Sequence, residues 1–280
     1  MTRRSNSVEA PPGHPPASPN GAQRIATAFE GDRAALMPYM MAGYPDRETS
    51  LAVAEAYAEG GADLVELGVP FSDPLADGPT IHAAATEALA KGATLSTALE
   101  VCEAISERVP VALMAYSNMI LACGVEEFAR RAAEAGAAGA IVPDLPLDEA
   151  DEIRAALSGA GLALVPLLAP TTPAERRARI CAAAEGFVYV VSSVGTTGER
   201  RELPAGLTDL IAAAKRDADV PVAVGFGIGT PEQVGEVGQV ADGVIVGSRL
   251  VRAAGEAGSP AAAVEAVGGF LRDSRAALSA

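Results

Sequence analysis

The sequence predicts a single-domain α/β fold, a (β/α)8 or TIM barrel, on three observations. Eight short apolar runs of strand length recur along the chain, and Ala-rich amphipathic stretches of helical length separate them. The 280 residues, 49% of them hydrophobic, suit one barrel with a single large core. An open, doubly wound sheet accommodates the same alternation, but eight strand–helix units point to the closed form.

Residues 1–20 stand apart. Pro11, Pro12, Pro15, Pro16 and Pro19 predict an extended, disordered tail, and Arg3 and Arg4 are followed by no apolar stretch of a signal peptide. The barrel domain is expected over 21–280. It opens with a short leading helix, with Ile25, Ala26 and Phe29 at helical spacing. The strands are expected at 36–41, 63–68, 111–115, 139–142, 162–167, 187–191, 220–224 and 242–246. Helices are expected at 47–60, 124–135, 148–158, 173–184, 204–216 and 230–239, with one last helix after Gly247-Ser248-Arg249-Leu250. The interval between the second and third runs is nearly double the others, and 79–108 carries two helical segments around Gly92, so an extra helix is expected after strand two. Asp46, Thr172-Pro173 and Thr230-Pro231 are the helix-start signals.

Composition removes several functions. A net charge of -15 opposes binding to nucleic acid or an anionic membrane, and no apolar run reaches membrane-spanning length. Cys102, Cys123 and Cys181 form no CxxC pair and read as small buried hydrophobes in a reducing cytosol. The two lysines, Lys91 and Lys215, fall in helical segments away from strand ends, which closes a Schiff-base route. His14 and His82 are too few for a zinc site built from several imidazoles, and His82 reads as a helix-surface or packing residue.

The chemistry concentrates in 64–80, LVELGVPFSDPLADGPT. A strand there puts Leu64, Glu66 and Gly68 on one side and Val65 and Leu67 on the other. An ionised glutamate buried in a strand is costly unless it is paired or used. The loop that follows is stiffened by Pro70, Pro74 and Pro79 and carries Asp73, read as a turn former, and Asp77. Tyr39, Tyr116, Asp144 and Tyr189 are the other polar groups at or near strand ends. The spacing leaves Asp144 open between a catalytic, a partner-facing and a turn-forming role. Glu66 as a buried acid and Asp77 as a more solvated carboxylate form a pair suited to protonation and charge stabilisation. Gly-rich loops after the last three strands, around Gly198, Gly227, Gly247 and Ser248, suggest a phosphorylated small molecule held by backbone amides. Residues alone reach a phosphate-binding barrel with carboxylate catalysis. Sugar-phosphate isomerisation and cleavage of a substrate with a protonatable ring fit equally.

The stretch ELGVPFSDPLADGPT at 66–80 resembles the signature of the tryptophan synthase alpha subunit family. So do PYMMAGYP at 38–45, LMAYSNMI at 113–120, PDLPLDE at 143–149, YVVSSVGTTGER at 189–200, VGFGIGTPEQV at 224–234 and ADGVIVGSRLV at 241–251. The resemblance spans about 21–275 and implies a barrel that splits indole-3-glycerol phosphate by a retro-aldol reaction into indole and glyceraldehyde 3-phosphate. It implies Glu66 as the acid/base, Asp77 at the indole N–H and Tyr189 as the active-site tyrosine. Tyr39, Tyr116, Phe226 and Thr197 match substrate-binding positions, and Gly198, Gly227, Gly247 and Ser248 the phosphate site. It implies no metal and no cofactor in this chain. The implied partner is a pyridoxal-phosphate beta subunit in an alpha-beta-beta-alpha heterotetramer of the cytoplasm, with loops 70–79 and 190–202 closing over substrate. Tyr44 stands where the family often has Asp, and Ser193 and Val194 depart from its usual loop. The alternatives are another phosphate-binding barrel enzyme, an isomerase or synthase, and a catalytically inactive barrel that only activates a partner.

Overall fold

The structure is a computed structural model that describes residues 19–191, 206–225 and 227–279. Its strands are β1 (Ala35–Met41), β2 (Val65–Gly68), β3 (Val111–Met114), β4 (Gly139–Ile141), β5 (Ala163–Val165), β6 (Leu167–Leu168), β7 (Val188–Val191), β8 (Val222–Gly225) and β9 (Gly243–Val246). They form one sheet in the order β5-β4-β3-β2-β1-β9-β8-β7-β6, and every pairing is parallel. The two ends of that order, β5 and β6, are consecutive in the chain and separated only by Pro166. Proline has no N–H to give a ladder, so the predicted strand 162–167 splits there. Its first half pairs with β4 and its second with β7, and Tyr189 N–H donates to the Pro166 carbonyl at 3.0 Å. Counted as one stave, 163–168 closes the barrel at eight.

The helices are α1 (Gly21–Thr27), α2 (Arg47–Gly60), α3 (Pro79–Ala90), α4 (Leu95–Ile105), α5 (Ser117–Cys123), α6 (Val125–Glu134), α7 (Asp151–Gly159), α8 (Ala174–Ala182), α9 (Leu207–Asp217), α10 (Pro231–Gly238), α11 (Ser248–Glu256) and α12 (Pro260–Leu278). The extra helix after strand two is real: α3 and α4 both lie between β2 and β3. Two expectations need correction. The last helix is two, because Ser259 caps a new start at Pro260. A further short helix, α5, follows β3 where sequence periodicity gave no signal. Asp46 and Thr230 cap α2 and α10 as expected, whereas Thr172 turns its hydroxyl back to Ala169 N–H and Pro173 takes the cap of α8. The expected tail falls almost wholly outside the described residues.

Side-chain alternation divides the core in two. Leu36, Met40, Val65, Leu67, Leu113, Val190, Val224 and Val246 face the helices. Met37, Tyr39, Met41, Met114, Ile141, Tyr189, Ala223 and Ile245 fill the barrel. At the end where the strands begin, α1 forms a plug. A reciprocal capping box between Asn20 and Gln23 starts it. Arg24 donates to the carbonyls of Gly136 and Ser106 at 2.8 and 2.7 Å. Phe29, Phe187 and Tyr189 run inward as an aromatic column, with ring centroids 5.9 and 6.3 Å apart. Strand starts are held by carboxylates. Asp63 accepts from Leu36 N–H, and Asp242 from Val222 N–H. Those two acids lie just before β2 and β9 in the chain. Cys102 and Cys181 are buried and free; Cys123 is only half-buried, at the exposed end of α5.

Candidate active site

Glu66 lies in the middle of β2, opposite Tyr39 of β1 and Ala112 of β3. Alternation turns it inward with Leu64, as the sequence predicts, while Val65 and Leu67 pack outward. It is 1% exposed, and neither carboxylate oxygen has a hydrogen-bond partner among the described residues. Among the described residues it forms no salt bridge. Burial disfavours its charge, and the Asp77 carboxylate adds to the effect, so its pKa is pushed up to about 8. At neutral pH it holds a proton and keeps an open acceptor beside it.

Asp77 stands on the loop between β2 and α3. Burial raises its pKa, while the Tyr116 hydroxyl and His82 favour its charge. Tyr116 ends the segment after β3. Its hydroxyl accepts from Ala76 N–H at 3.1 Å, and its ring stacks on Phe71 at 5.2 Å between centroids. Asp73 is exposed, in keeping with a turn former, and His82 is exposed on α3.

Tyr39 and Tyr189 complete the wall. Burial, joined by the nearby carboxylates, pushes both phenols well above their ordinary range, so both remain neutral donors. Their rings demand two glycines. A Cβ on Gly68 would lie 2.1 Å from the Tyr39 hydroxyl, and one on Gly225 would lie 2.3 Å from that of Tyr189.

These groups line a cleft at the carboxyl ends of the strands, lined also by Gly227, Gly247 and Ser248. Gly227 takes a left-handed backbone, φ +87°, which suits glycine. Gly247 precedes α11, and Ser248 is its first residue, so the free N–H groups of that helix open on the cavity. One end of the cavity therefore favours an anion, and the other offers a proton. Between them Ile81, Met114, Ile228 and Ile245 supply an apolar wall. Sequence reasoning missed these four as site residues. Met114 and Ile245 carry a signal in strand alternation, whereas Ile81 and Ile228 sit on loop-adjacent turns that have none.

The structure thus brings together Glu66, Asp77, Tyr189, Tyr39, Gly227, Gly247 and Ser248, with Tyr116 just behind Asp77. Thr197, Gly198 and Phe226, with the departures Ser193 and Val194, lie outside the described residues. Lys91 and Lys215 are exposed, bonded to Glu87 and Asp242 on the helical layer and at the strand starts. Among the described residues no group of three His, Cys, Asp or Glu side chains converges as a metal site, and no helix is long and apolar enough to cross a membrane.

Fold and site define a parallel-barrel enzyme whose cleft holds a buried carboxylic acid, suited to acid/base chemistry, and a helix terminus suited to an anion. A family model for the tryptophan synthase alpha chain matches residues 25–275. Tryptophan synthase alpha chains of Synechococcus sp. (strain CC9902) and Prochlorococcus marinus (strain MIT 9313) are 48% and 47% identical. Those alignments cover 86% and 87% of this chain and 93% and 89% of the relatives. A Mycobacterium tuberculosis tryptophan synthase structure superposes with a TM-score of 0.84 at 38% identity, covering 91% of this chain and 98% of the other. A chain of the Pyrococcus furiosus tryptophan synthase α2β2 complex superposes with a TM-score of 0.80 at 39% identity, covering 87% and 99%. The chain belongs to the tryptophan synthase alpha chain family.

Proposed function

We propose that the chain cleaves indole-3-glycerol phosphate to indole and glyceraldehyde 3-phosphate, with Glu66 as acid and base. The observation that carries this reading is a glutamic acid, buried with no hydrogen-bond partner among the described residues, in a cleft whose other end is the start of a helix; burial there favours the protonated acid. In the reaction Glu66 gives its proton to C3 of the indole ring, and the positive charge spreads to the ring nitrogen. Asp77, as carboxylate, accepts the N–H and stabilises that charge. Glu66, now ionised, takes the proton of the hydroxyl on the adjacent side-chain carbon. The carbon–carbon bond breaks, its electrons return to the ring, and the hydroxyl carbon becomes the aldehyde. One proton leaves Glu66 and one returns.

Tyr39 and Tyr189 flank the ring, Met114 and Ile245 pack on it, and the phosphate sits against Gly227, Gly247 and the first turn of α11. Thr197, Gly198 and Phe226 complete the pocket in this reading. The substrate is its own electron sink, so the reaction calls for no cofactor held by this chain.

The partner in this reading is a tryptophan synthase beta subunit that carries pyridoxal phosphate and receives the indole within an alpha-beta-beta-alpha heterotetramer of the cytoplasm. The family membership and the likeness to the Pyrococcus furiosus complex support it. In this reading the barrel over 21–280 is the catalytic domain. The test is product analysis. The chain, alone and with a beta subunit, is incubated with indole-3-glycerol phosphate, and equal amounts of indole and glyceraldehyde 3-phosphate are expected, formed faster with the partner. Consumption without indole, or no consumption in either case, contradicts the reading.

A further inference from the structure

The loop that carries Asp77 is gripped from one side by groups the reaction itself does not use. Phe71 stacks on the Tyr116 ring, Ala76 donates its N–H to the Tyr116 hydroxyl, and that hydroxyl faces the Asp77 carboxylate. Three points of one loop thus rest on a single tyrosine. Tyr116 is the residue just before α5, with extended backbone, and Ser117 is the first residue of that helix. A helix start leaves N–H groups without intrahelical partners. Here Asp144, from the loop after β4, takes both groups that Ser117 offers. Oδ1 accepts from Ser117 N–H at 2.8 Å, and Oδ2 accepts from the Ser117 hydroxyl at 2.7 Å. A two-point grip on the residue next to Tyr116 fixes the direction in which its ring leaves the backbone.

We propose that Asp144 is a positioning residue for Asp77, acting through Ser117 and Tyr116. It rests on the reading of Asp77 given above and adds a part for the loop after β4, which reaches across β3 to fix the loop after β2. Sequence spacing left Asp144 open between three roles; its geometry gives it this one. Among the described residues, the groups that face Asp77 from the other elements are Glu66 on β2, Tyr39 on β1, Tyr189 on β7 and His82 on α3.

The experiment measures kcat, KM and the pH profile of indole release for wild type, Asp144→Ala, Asp144→Asn, Tyr116→Phe and the Asp144→Ala/Tyr116→Phe double variant, with a thermal melt of each. A displaced loop is expected to lower kcat about tenfold in Asp144→Ala. The Tyr116 hydroxyl favours the charged form of Asp77, so its displacement raises that pKa, and the acidic limb of kcat/KM moves to higher pH by roughly half a unit. Tyr116→Phe is expected to move the limb equally, and Asp144→Ala to add nothing in that background. Asp144→Asn keeps one acceptor and should fall between; it carries the comparison if Asp144→Ala does not fold. An acidic limb unmoved in a folded Asp144 variant, or shifts that simply add to those of Tyr116→Phe, overturns the proposal. Asp77→Asn separates the two levels. Full activity in that variant removes the reading of Asp77 on which the proposal rests. Loss of activity there, with an unmoved limb at Asp144, overturns the positioning role alone.

Discussion

Tyr39 and Glu66 stand opposite one another on adjacent parallel strands, both turned into the barrel, and the Tyr39 hydroxyl passes over Gly68, two residues further along β2. The glutamate thus lies under an aromatic lid that keeps water off and offers it no positive charge. Tyr39 and Tyr189 are buried phenols, and burial is what holds the Glu66 proton on.

Gly68→Ala tests that lid. The added Cβ has no room beside the Tyr39 hydroxyl, so the ring must swing into the cavity. Steady-state assays should give a folded protein with kcat/KM lowered roughly 10- to 100-fold. Wild-type kinetics in the variant would mean that the Tyr39 position does not matter to the reaction.

Ser248→Asp tests the anion end. A carboxylate at the first position of α11 complements the helix dipole and adds about 0.3–1 kcal/mol to the helix, yet it repels a phosphate. Stability is expected to hold or rise while KM for the phosphorylated substrate increases about tenfold or more. An unchanged KM would move the phosphate elsewhere.

Arg24→Ala tests whether the plug at the far end is purely structural. Its guanidinium satisfies three carbonyls, of Ser106, Gly136 and Ala137, and binds α1 to the barrel. Losing those bonds should cost about 2 kcal/mol, read by denaturant titration, with kcat unchanged at low temperature. A large fall in kcat would mean that α1 reaches the site.

Glu66→Gln should change how stability depends on pH. The folded chain keeps the Glu66 proton up to about pH 8, whereas the unfolded chain releases it in the ordinary carboxylate range, near 4.5. Between those values the folded state binds more protons, so wild-type stability falls as pH rises through the window and levels off above it. The glutamine variant lacks that contribution. It should gain on wild type by up to about 3 kcal/mol between pH 5 and 7, measured by denaturant titration at several pH values. Parallel curves for the two proteins would mean that Glu66 ionises normally.

Much of this was legible in the chain. A period of two put Glu66 inward with Leu64, and the apolar runs located every stave to within a few residues. Pro166 was visible, but its effect was not: only the pairing partners on either side reveal that one run serves two edges and closes the ring. The helix α5 was hidden because Ser117–Cys123 is short and exposes Leu121, so its apolar pattern is weak. The link from Asp144 to Asp77 was unreadable for another reason. Asp144 and Ser117 are 27 residues apart, on neighbouring loops, and no local pattern reports a hydrogen bond across such a separation. Tyr116 behind Asp77, rather than in the cavity wall, belongs to the same class. Thr197, Gly198 and Phe226 rest on the resemblance alone.

The central claim is that a protonated Glu66 starts the cleavage. The most direct measurement is indole released from indole-3-glycerol phosphate by wild type and Glu66→Gln near pH 7, with substrate affinity measured in parallel by calorimetry. The account predicts that the glutamine variant binds substrate about as tightly as wild type and releases indole at least 1,000-fold more slowly, since the same group gives and takes the proton. Indole release by Glu66→Gln within tenfold of wild type would contradict it, and the acid would have to be sought among the other groups of the cavity.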